Sequence, residues 1–163
     1  MVLSFSVLTF AKTPLAELAE RSIESESDAV IIVHDTKEIF RYLPEGEDQL
    51  IETMSMTKSF ASLAIGFLID ENKIFSIDEP LVKWFPEWKN SSKAKITLRH
   101  ILTHTSGLEA NPDAGDIYEQ KDDIKYALDA TLKDEPGAVH FYNNKAVNLI
   151  AGIIKKASGK SVD

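Results

Sequence analysis

A serine and a lysine three positions apart are the residues of this sequence whose types and spacing best suit catalysis. Residues 55–58 read Ser-Met-Thr-Lys and come directly before an apolar run over residues 59–69. In a helix that begins near Ser55, this spacing places Ser55 and Lys58 on one face, about one turn apart. A serine hydroxyl is a weak nucleophile near neutral pH, and a lysine held against apolar surface can supply the base or cation that it needs. The pair therefore predicts an activated serine nucleophile.

The same pair also has a purely structural interpretation, in which Ser55 caps the helix and Lys58 is a solvated residue of its first turn. The apolar run argues against this interpretation. Residues 59–69 are apolar nearly all round, which predicts a helix buried on every side and leaves little polar face for a solvated lysine.

A phenol and an amide two positions apart form a second candidate group. Tyr142 and Asn144 follow Glu-Pro-Gly at 135–137 and precede a helical segment. A tyrosine near a lysine ammonium has a lowered pKa and can act as a base, and an asparagine amide can hold a lysine or a substrate carbonyl. Taken alone, this segment favours a structural interpretation, with an aromatic side chain packed on its loop and a helix N-cap at Asn143 or Asn144.

The elements that must position these side chains are one hairpin and several helices. Two apolar runs, residues 29–33 and 39–43, predict strands joined by a turn at 35–37, a hairpin that is only marginally stable by itself. Asp78 is the expected N-cap of a short helix with Pro80 in its first turn. Trp84 and Trp88 are expected in the core. Spacing and cap signals predict further helices over residues 14–25, 55–70, 97–102, 122–132 and 144–157, the last closed by Gly159.

Composition limits the remaining function classes. At 163 residues and 44% hydrophobic content, the chain has room for one domain with a real core. The absence of cysteine excludes disulfides, thiolate catalysis and cysteine-bound metals, and a net charge of −8 disfavours nucleic acid and anionic membranes as partners. The apolar stretch 2–10 is too short to span a bilayer and lacks the basic start of a secretion signal. We expect a strand or an ordered N-terminal segment there, with a trimmed signal remnant as the alternative.

Two histidines form a pattern that resembles a metal site. His100 and His104 have the i, i+4 spacing of a zinc-binding helix, but Ile101 stands where a zinc protease carries glutamate, and no third ligand occurs in a suitable context. We therefore expect neither a metal nor another cofactor, and we expect His104 to brace the loop that follows it through hydrogen bonds.

The two candidate groups together carry a family resemblance. Between them, residues 102–108 read Leu-Thr-His-Thr-Ser-Gly-Leu. Residues 76–80 read Ser-Ile-Asp-Glu-Pro, and the last helix ends with Ala-Ser-Gly-Lys at 157–160. Over about residues 28–163 the chain resembles the serine hydrolases that comprise class C β-lactamases, low-molecular-weight penicillin-binding proteins and related esterases. The resemblance implies an α+β, β-lactamase/transpeptidase-like fold, with a helical region and the first strands of an antiparallel sheet. It also implies a periplasmic or extracellular location, although the sequence contains no convincing signal peptide.

The resemblance also implies roles for the candidate residues. Ser55 corresponds to the nucleophile, Lys58 to its activating partner, Tyr142 to the proton shuttle and Asn144 to a positioning amide. The implied reaction is acyl transfer through an acyl-enzyme, with a small-molecule or peptide substrate that is a β-lactam, a D-alanyl peptide or a small ester. Neither the resemblance nor the sequence decides whether Lys58 or Tyr142 is the acylation base.

One departure from the family pattern sets a further expectation. The family carries a third motif, Lys or His followed by Ser or Thr and then Gly, on a later strand that supplies one of two oxyanion donors, and residues up to Asp163 do not contain it. We therefore expect residues 1–163 to form a single β-lactamase-like domain without the C-terminal half of its sheet. Such a chain should be a poor catalyst by itself and should associate with itself or with a complementary C-terminal fragment. The alternative is a non-catalytic, truncated or split relative that another chain completes.

Overall fold

The computed structural model describes residues 13–46, 50–110 and 119–162, and the predicted strand at 2–10 lies outside these residues. The chain divides into two compact units, Met1–Glu52 and Thr53–Asp163. The first unit contains α1 (Pro14–Glu24), β1 (Val30–His34) and β2 (Lys37–Tyr42). The second contains α2 (Thr57–Asp70), α3 (Leu98–Leu102), α4 (Asp123–Leu128), α5 (Asn144–Val147) and α6 (Leu149–Ser158), with short 3₁₀ turns at Met54–Met56, Leu81–Lys83, Pro86–Trp88 and Ser92–Lys95.

The first unit confirms the predicted helix and hairpin. Thr13 caps α1 by accepting a hydrogen bond from Ala16 N, and Pro14 occupies the first helical position. Strands β1 and β2 pair antiparallel, with an irregularity between Ile32 and Val33. The tight turn between them needs two residues with positive φ, and Asp35 and Thr36 supply φ values of 47° and 66°.

The core of the second unit lies between α2, α6 and the segments that connect them. Ile65 and Leu68 of α2 are buried, as are Trp84 and Trp88, which confirms the core position predicted for both tryptophans. The indole of Trp88 donates to the Leu128 carbonyl at 3.1 Å, so its polar edge is satisfied at the end of α4. The side chains of this core that are almost completely buried are Phe85, Ile65, Ile74, Leu81, Ile96, Leu98, Ile101, Leu149 and Ile153.

The prediction that the apolar helix is buried on every side is wrong. Helix α6 packs on one face of α2, whereas Phe60, Leu63 and Phe67, which share another face of α2, remain 57%, 59% and 67% exposed. An all-round apolar pattern reports what a helix can bury, and burial itself depends on the neighbours that the fold supplies.

Three local predictions also need correction. Asp78 is not a helix N-cap, because its carboxylate accepts two hydrogen bonds from the Arg99 guanidinium, at 2.6 and 2.9 Å. The helix predicted over 122–132 ends at Leu128, since Leu132 instead pairs with Leu108 in an isolated antiparallel bridge. The helix predicted over 144–157 is two helices, α5 and α6, that meet at Asn148.

Among the glycines that the structure describes, Gly107 is the one that the fold requires most strictly. It has a φ of +70°, and a Cβ atom there would lie 2.1 Å from the Asp134 carbonyl oxygen, which is backbone and cannot move aside cheaply. We expect Gly107→Ala to lower the free energy of unfolding by about 2 kcal/mol or more, since strain and overlap add. Gly66 is the matched control, because a Cβ atom there meets nothing within 4 Å, and Gly66→Ala should stabilise α2 by about 0.5–1 kcal/mol. Urea denaturation of both variants measures the difference, and equal stabilities would contradict it.

Candidate active site

The structure brings Ser55 and Lys58 together at the start of α2. Ser55 lies on the 3₁₀ turn Met54–Met56, Lys58 is the second residue of the helix, and Lys58 Nζ donates a hydrogen bond to Ser55 Oγ at 3.1 Å. Ser55 is exposed and Lys58 is half-buried. The N-cap residue of α2 is Met56, so Ser55 does not serve as the helix cap of the structural interpretation. An exposed hydroxyl against a lysine can meet an incoming carbonyl.

The backbone before Ser55 adopts an unusual conformation that sequence reasoning missed. Met54 has a φ of +47°, in the left-handed region that side chains with a Cβ atom rarely adopt. Such residues cost about 1–3 kcal/mol each and concentrate at functional sites, where the surrounding structure holds them. Here Thr53 Oγ1 and Thr57 Oγ1 are joined by a 2.8 Å hydrogen bond across the turn. The turn that carries Ser55 is thus braced from both sides.

The side chain of Tyr142 lies beside Lys58, although the two residues are far apart in the sequence. Lys58 Nζ lies 5.2 Å from the centroid of its ring, and the side chain is 48% exposed. Hydrogen bonding to Ser55 is the main cause that holds the pKa of the Tyr142 phenol below its ordinary value. Burial opposes this effect, and hydrogen bonding to Lys58 and the charge of Lys58 lower the pKa further. Ser55, Lys58 and Tyr142 therefore form one polar cluster, as the paired motifs predict.

The two asparagines of the late turn occupy different environments. Asn143 is buried and is the N-cap of α5, since its Oδ1 accepts from Ala146 N and its Nδ2 donates to the Leu108 carbonyl, both at 2.8 Å. The N-cap role that the sequence offered to Asn143 or Asn144 therefore belongs to Asn143. Asn144 is the first helical residue and is half-buried, so its amide is not used as the helix cap.

His104 holds the turn that presents Tyr142. Its Nδ1 accepts a hydrogen bond from Asn143 N at 3.0 Å, its carbonyl accepts one from Phe141 N at 2.9 Å, and its ring stacks on that of Tyr142 with centroids 4.5 Å apart. The prediction that His104 braces the loop after it is therefore corrected, because its contacts run to residues 141–143. The sequence feature that could have indicated this role is the segment 102–108, which contains His104 and lies between the two candidate groups.

His100 and His104 each accept a hydrogen bond from a backbone N–H group. His100 Nδ1 accepts from Thr97 N at 3.2 Å within the capping box of α3, and His104 Nδ1 accepts from Asn143 N. In the ranges that the structure describes, no group of three or more histidine, cysteine, aspartate or glutamate side chains is arranged to hold a metal ion. Among the same residues, no helix is both long and apolar enough to cross a membrane.

These two histidines predict a loss of stability in mild acid. Burial is the main cause that lowers the pKa of His100 and of His104, and the neighbouring His140 and Lys58 lower that of His104 further. The unfolded chain then binds more protons below its histidine pKa of about 6.5, so stability is fully present above that pH and declines as the pH falls. The paired carboxylates of Asp78 and Asp129 have lowered pKa values and titrate at more acidic pH.

We expect denaturant midpoints to fall between about pH 7 and pH 5, and the fall to be smaller in His100→Asn and His104→Asn. Ser59→Ala is the control, because Ser59 is exposed and carries no titratable group. A midpoint that is flat with pH in the unmodified protein would contradict the prediction.

Comparison with known proteins places these residues in context. The family model described as Beta-lactamase matches residues 15–163. Penicillin-binding protein 4* of Bacillus subtilis (strain 168) is 32% identical over 127 residues, which cover 72% of this chain and 27% of that protein. Esterase EstB of Burkholderia gladioli is 26% identical over 137 residues, covering 72% of this chain and 34% of that protein.

Solved structures give the same result for the fold. The octameric penicillin-binding protein homologue from Pyrococcus abyssi superposes with a TM-score of 0.69 at 25% identity, over 89% of this chain and 38% of that chain. The chain therefore spans 27%, 34% and 38% of the length of these three proteins.

Proposed function

Because this chain belongs to the beta-lactamase family, we propose that it carries the nucleophilic half of a serine hydrolase site that cleaves an amide or ester through an acyl-enzyme. The family and its α+β, β-lactamase/transpeptidase-like fold confirm the resemblance seen in the sequence. Relatives named penicillin-binding protein and esterase support a hydrolase of this type.

The observation that carries the proposal is the 3.1 Å hydrogen bond between Lys58 Nζ and Ser55 Oγ, with the Tyr142 ring centroid 5.2 Å from the same Nζ. Serine becomes an effective nucleophile when a base can take its proton and a cation stabilises the resulting charge. The exposed position of Ser55 leaves room for a substrate carbonyl to approach its oxygen.

The proposed reaction proceeds in two steps. Ser55 Oγ attacks the carbonyl carbon of the substrate, its proton passes into the Lys58–Tyr142 pair, and the bond to the leaving nitrogen or oxygen breaks as that atom is protonated. Water then attacks the acyl-serine ester and releases the acid and the free serine. The lowered pKa of Tyr142 favours its phenolate as the proton acceptor, and the Lys58 ammonium stabilises that phenolate.

Asn144 is proposed as the amide that positions the substrate carbonyl or the lysine. Its amide is free of the capping role, which Asn143 performs, and it follows Tyr142 by two residues at the start of α5. An asparagine offers both a carbonyl acceptor and an NH₂ donor, so it suits either task. β-Lactams, D-alanyl peptides and small esters all present the carbonyl that this arrangement requires.

Hydrolysis of three probes tests the proposal: a chromogenic cephalosporin, a short p-nitrophenyl ester and a D-alanyl-D-alanine peptide. We expect hydrolysis of at least one probe above the background rate, because Lys58 and Tyr142 lie where they can take up the proton of Ser55. Hydrolysis of none of the probes, together with no acylation of the protein at high probe concentration, would support the alternative of a non-catalytic relative.

A further inference from the structure

We propose that His104 is the positioning residue for Tyr142, and that its neutral imidazole holds the phenol against Ser55 and Lys58. This inference rests on the proposed function, since it assigns how the proton-transfer residue of that site is fixed. His104 touches neither Ser55 nor a reacting atom in this arrangement, so its effect passes through the Tyr142 side chain.

Three contacts tie three consecutive residues to His104. Phe141 N donates to the His104 carbonyl at 2.9 Å, the Tyr142 ring stacks on the imidazole at 4.5 Å with an interplanar angle of 23°, and Asn143 N donates to Nδ1 at 3.0 Å. The flanking contacts fix the backbone on both sides of Tyr142, and the stack fixes the direction of its ring. One side chain and its own carbonyl thus determine where the phenol oxygen points.

Few other groups can perform this task. Tyr142 is 48% exposed and its neighbour Phe141 is 61% exposed, so burial alone does not immobilise the turn. His104, in contrast, is itself well anchored. Its N–H donates to the Ile101 carbonyl at 3.2 Å, and Thr105 N donates to the His100 carbonyl at 2.8 Å, which joins the residue to the end of α3. A φ of +55° at His104 turns the chain there.

The hydrogen bond from Asn143 N fixes the protonation state of the ring. Nδ1 must present a lone pair to this donor, so the proton of the neutral ring resides on Nε2. An imidazolium would set an N–H against the Asn143 N–H and break the contact. The titratable groups around the ring are Tyr142, stacked on it, His140, whose ring meets it edge-on at 6.1 Å, and Lys58, with further charges in the adjoining cleft from Glu109, Lys133 and Asp134.

Two substitutions separate the stack from the hydrogen bond. His104→Asn keeps an acceptor for Asn143 N and tolerates positive φ, but it removes the ring. His104→Phe keeps a ring beside Tyr142 and removes the acceptor. His140→Asn is the matched control. The His140 ring lies edge-on to the imidazole, and among the described residues no hydrogen bond joins its side chain to residues 141–143.

The experiment measures the phenol pKa of Tyr142 by NMR of ¹³Cζ-labelled tyrosine in the full chain, with the Tyr142 signal assigned from Tyr142→Phe. We expect the unmodified protein and His140→Asn to titrate below the ordinary tyrosine value of about 10, and both His104 variants to titrate closer to it. The labelling rate of Ser55 by a fluorophosphonate should fall about tenfold to a hundredfold in both His104 variants, the scale of losing positioning.

The two proposals fail in different ways. If Tyr142 titrates alike in the unmodified protein and in both folded His104 variants, the positioning role is overturned, whatever the labelling rate. If the titration shifts as expected but Ser55 is never acylated, the positioning role stands and the proposed function fails. Should one variant not fold, as judged by dispersion of its amide spectrum, the other carries the same comparison.

Discussion

Replacing Ser55 by alanine will abolish the hydrolysis that exceeds the uncatalysed rate, because no acyl-enzyme can form without the hydroxyl. Lys58 and Tyr142 remain in place in this variant, yet neither holds the acyl group of the substrate. The measurement is the initial rate with a p-nitrophenyl ester or a chromogenic cephalosporin, corrected for the uncatalysed rate. We expect the rate of the variant to reach the background.

Ser59→Ala is the matched control for this substitution. Ser59 is an exposed residue of the same helix, one position after Lys58, and its loss should leave the rate within about twofold of the unmodified protein. A Ser55→Ala protein that retains the original rate would show that hydrolysis depends on another group. An equal loss of hydrolysis rate in both variants would indicate that the substitutions damage α2, and it would not identify Ser55 as the reacting group.

Replacing Tyr142 by phenylalanine will lower acylation of Ser55 by about 10²–10⁴-fold, the usual contribution of a general acid or base. This change removes the phenol oxygen and keeps the ring that stacks on His104, so the turn at 141–143 retains its contacts. Tyr126→Phe is the control, because Tyr126 lies against Lys145 on a different element and its phenol has no part in the proposed site.

The same variant predicts a change in pH dependence. A base works when it is unprotonated, so the acylation rate of the unmodified protein should rise with pH and level off near the pKa of the Tyr142 phenol, which lies below the ordinary tyrosine value. Tyr142→Phe should lack this rise. A rise that persists unchanged in Tyr142→Phe would assign the base to Lys58, the alternative that the sequence leaves open.

Sequence reasoning succeeds here where the physical cause is local. The Ser55–Lys58 contact follows from helical spacing, and the hairpin turn follows from a short polar segment between two apolar runs. The capping of α3 by Thr97 is equally local. Each of these features depends on residues within four positions of one another, so the sequence order already carries the geometry.

The features that sequence reasoning missed depend on distant parts of the chain. His104 meets Asn143 from 39 positions away, and the Asp78 carboxylate meets Arg99 from 21 positions away. No periodicity or cap signal reports such a pairing. The exposure of Phe60 and Phe67 on α2 likewise depends on which segments the fold places beside the helix. The left-handed Met54 has no sequence signature, since methionine does not favour positive φ.

The most direct test of serine catalysis in this chain is peptide mapping by mass spectrometry after exposure to a fluorophosphonate and, separately, to penicillin. The structure predicts one covalent adduct per chain, located on Ser55, which is lost in Ser55→Ala and forms more slowly in Tyr142→Phe. An adduct on a different serine, or an adduct that forms undiminished in Ser55→Ala, would contradict the assignment of Ser55 as the nucleophile.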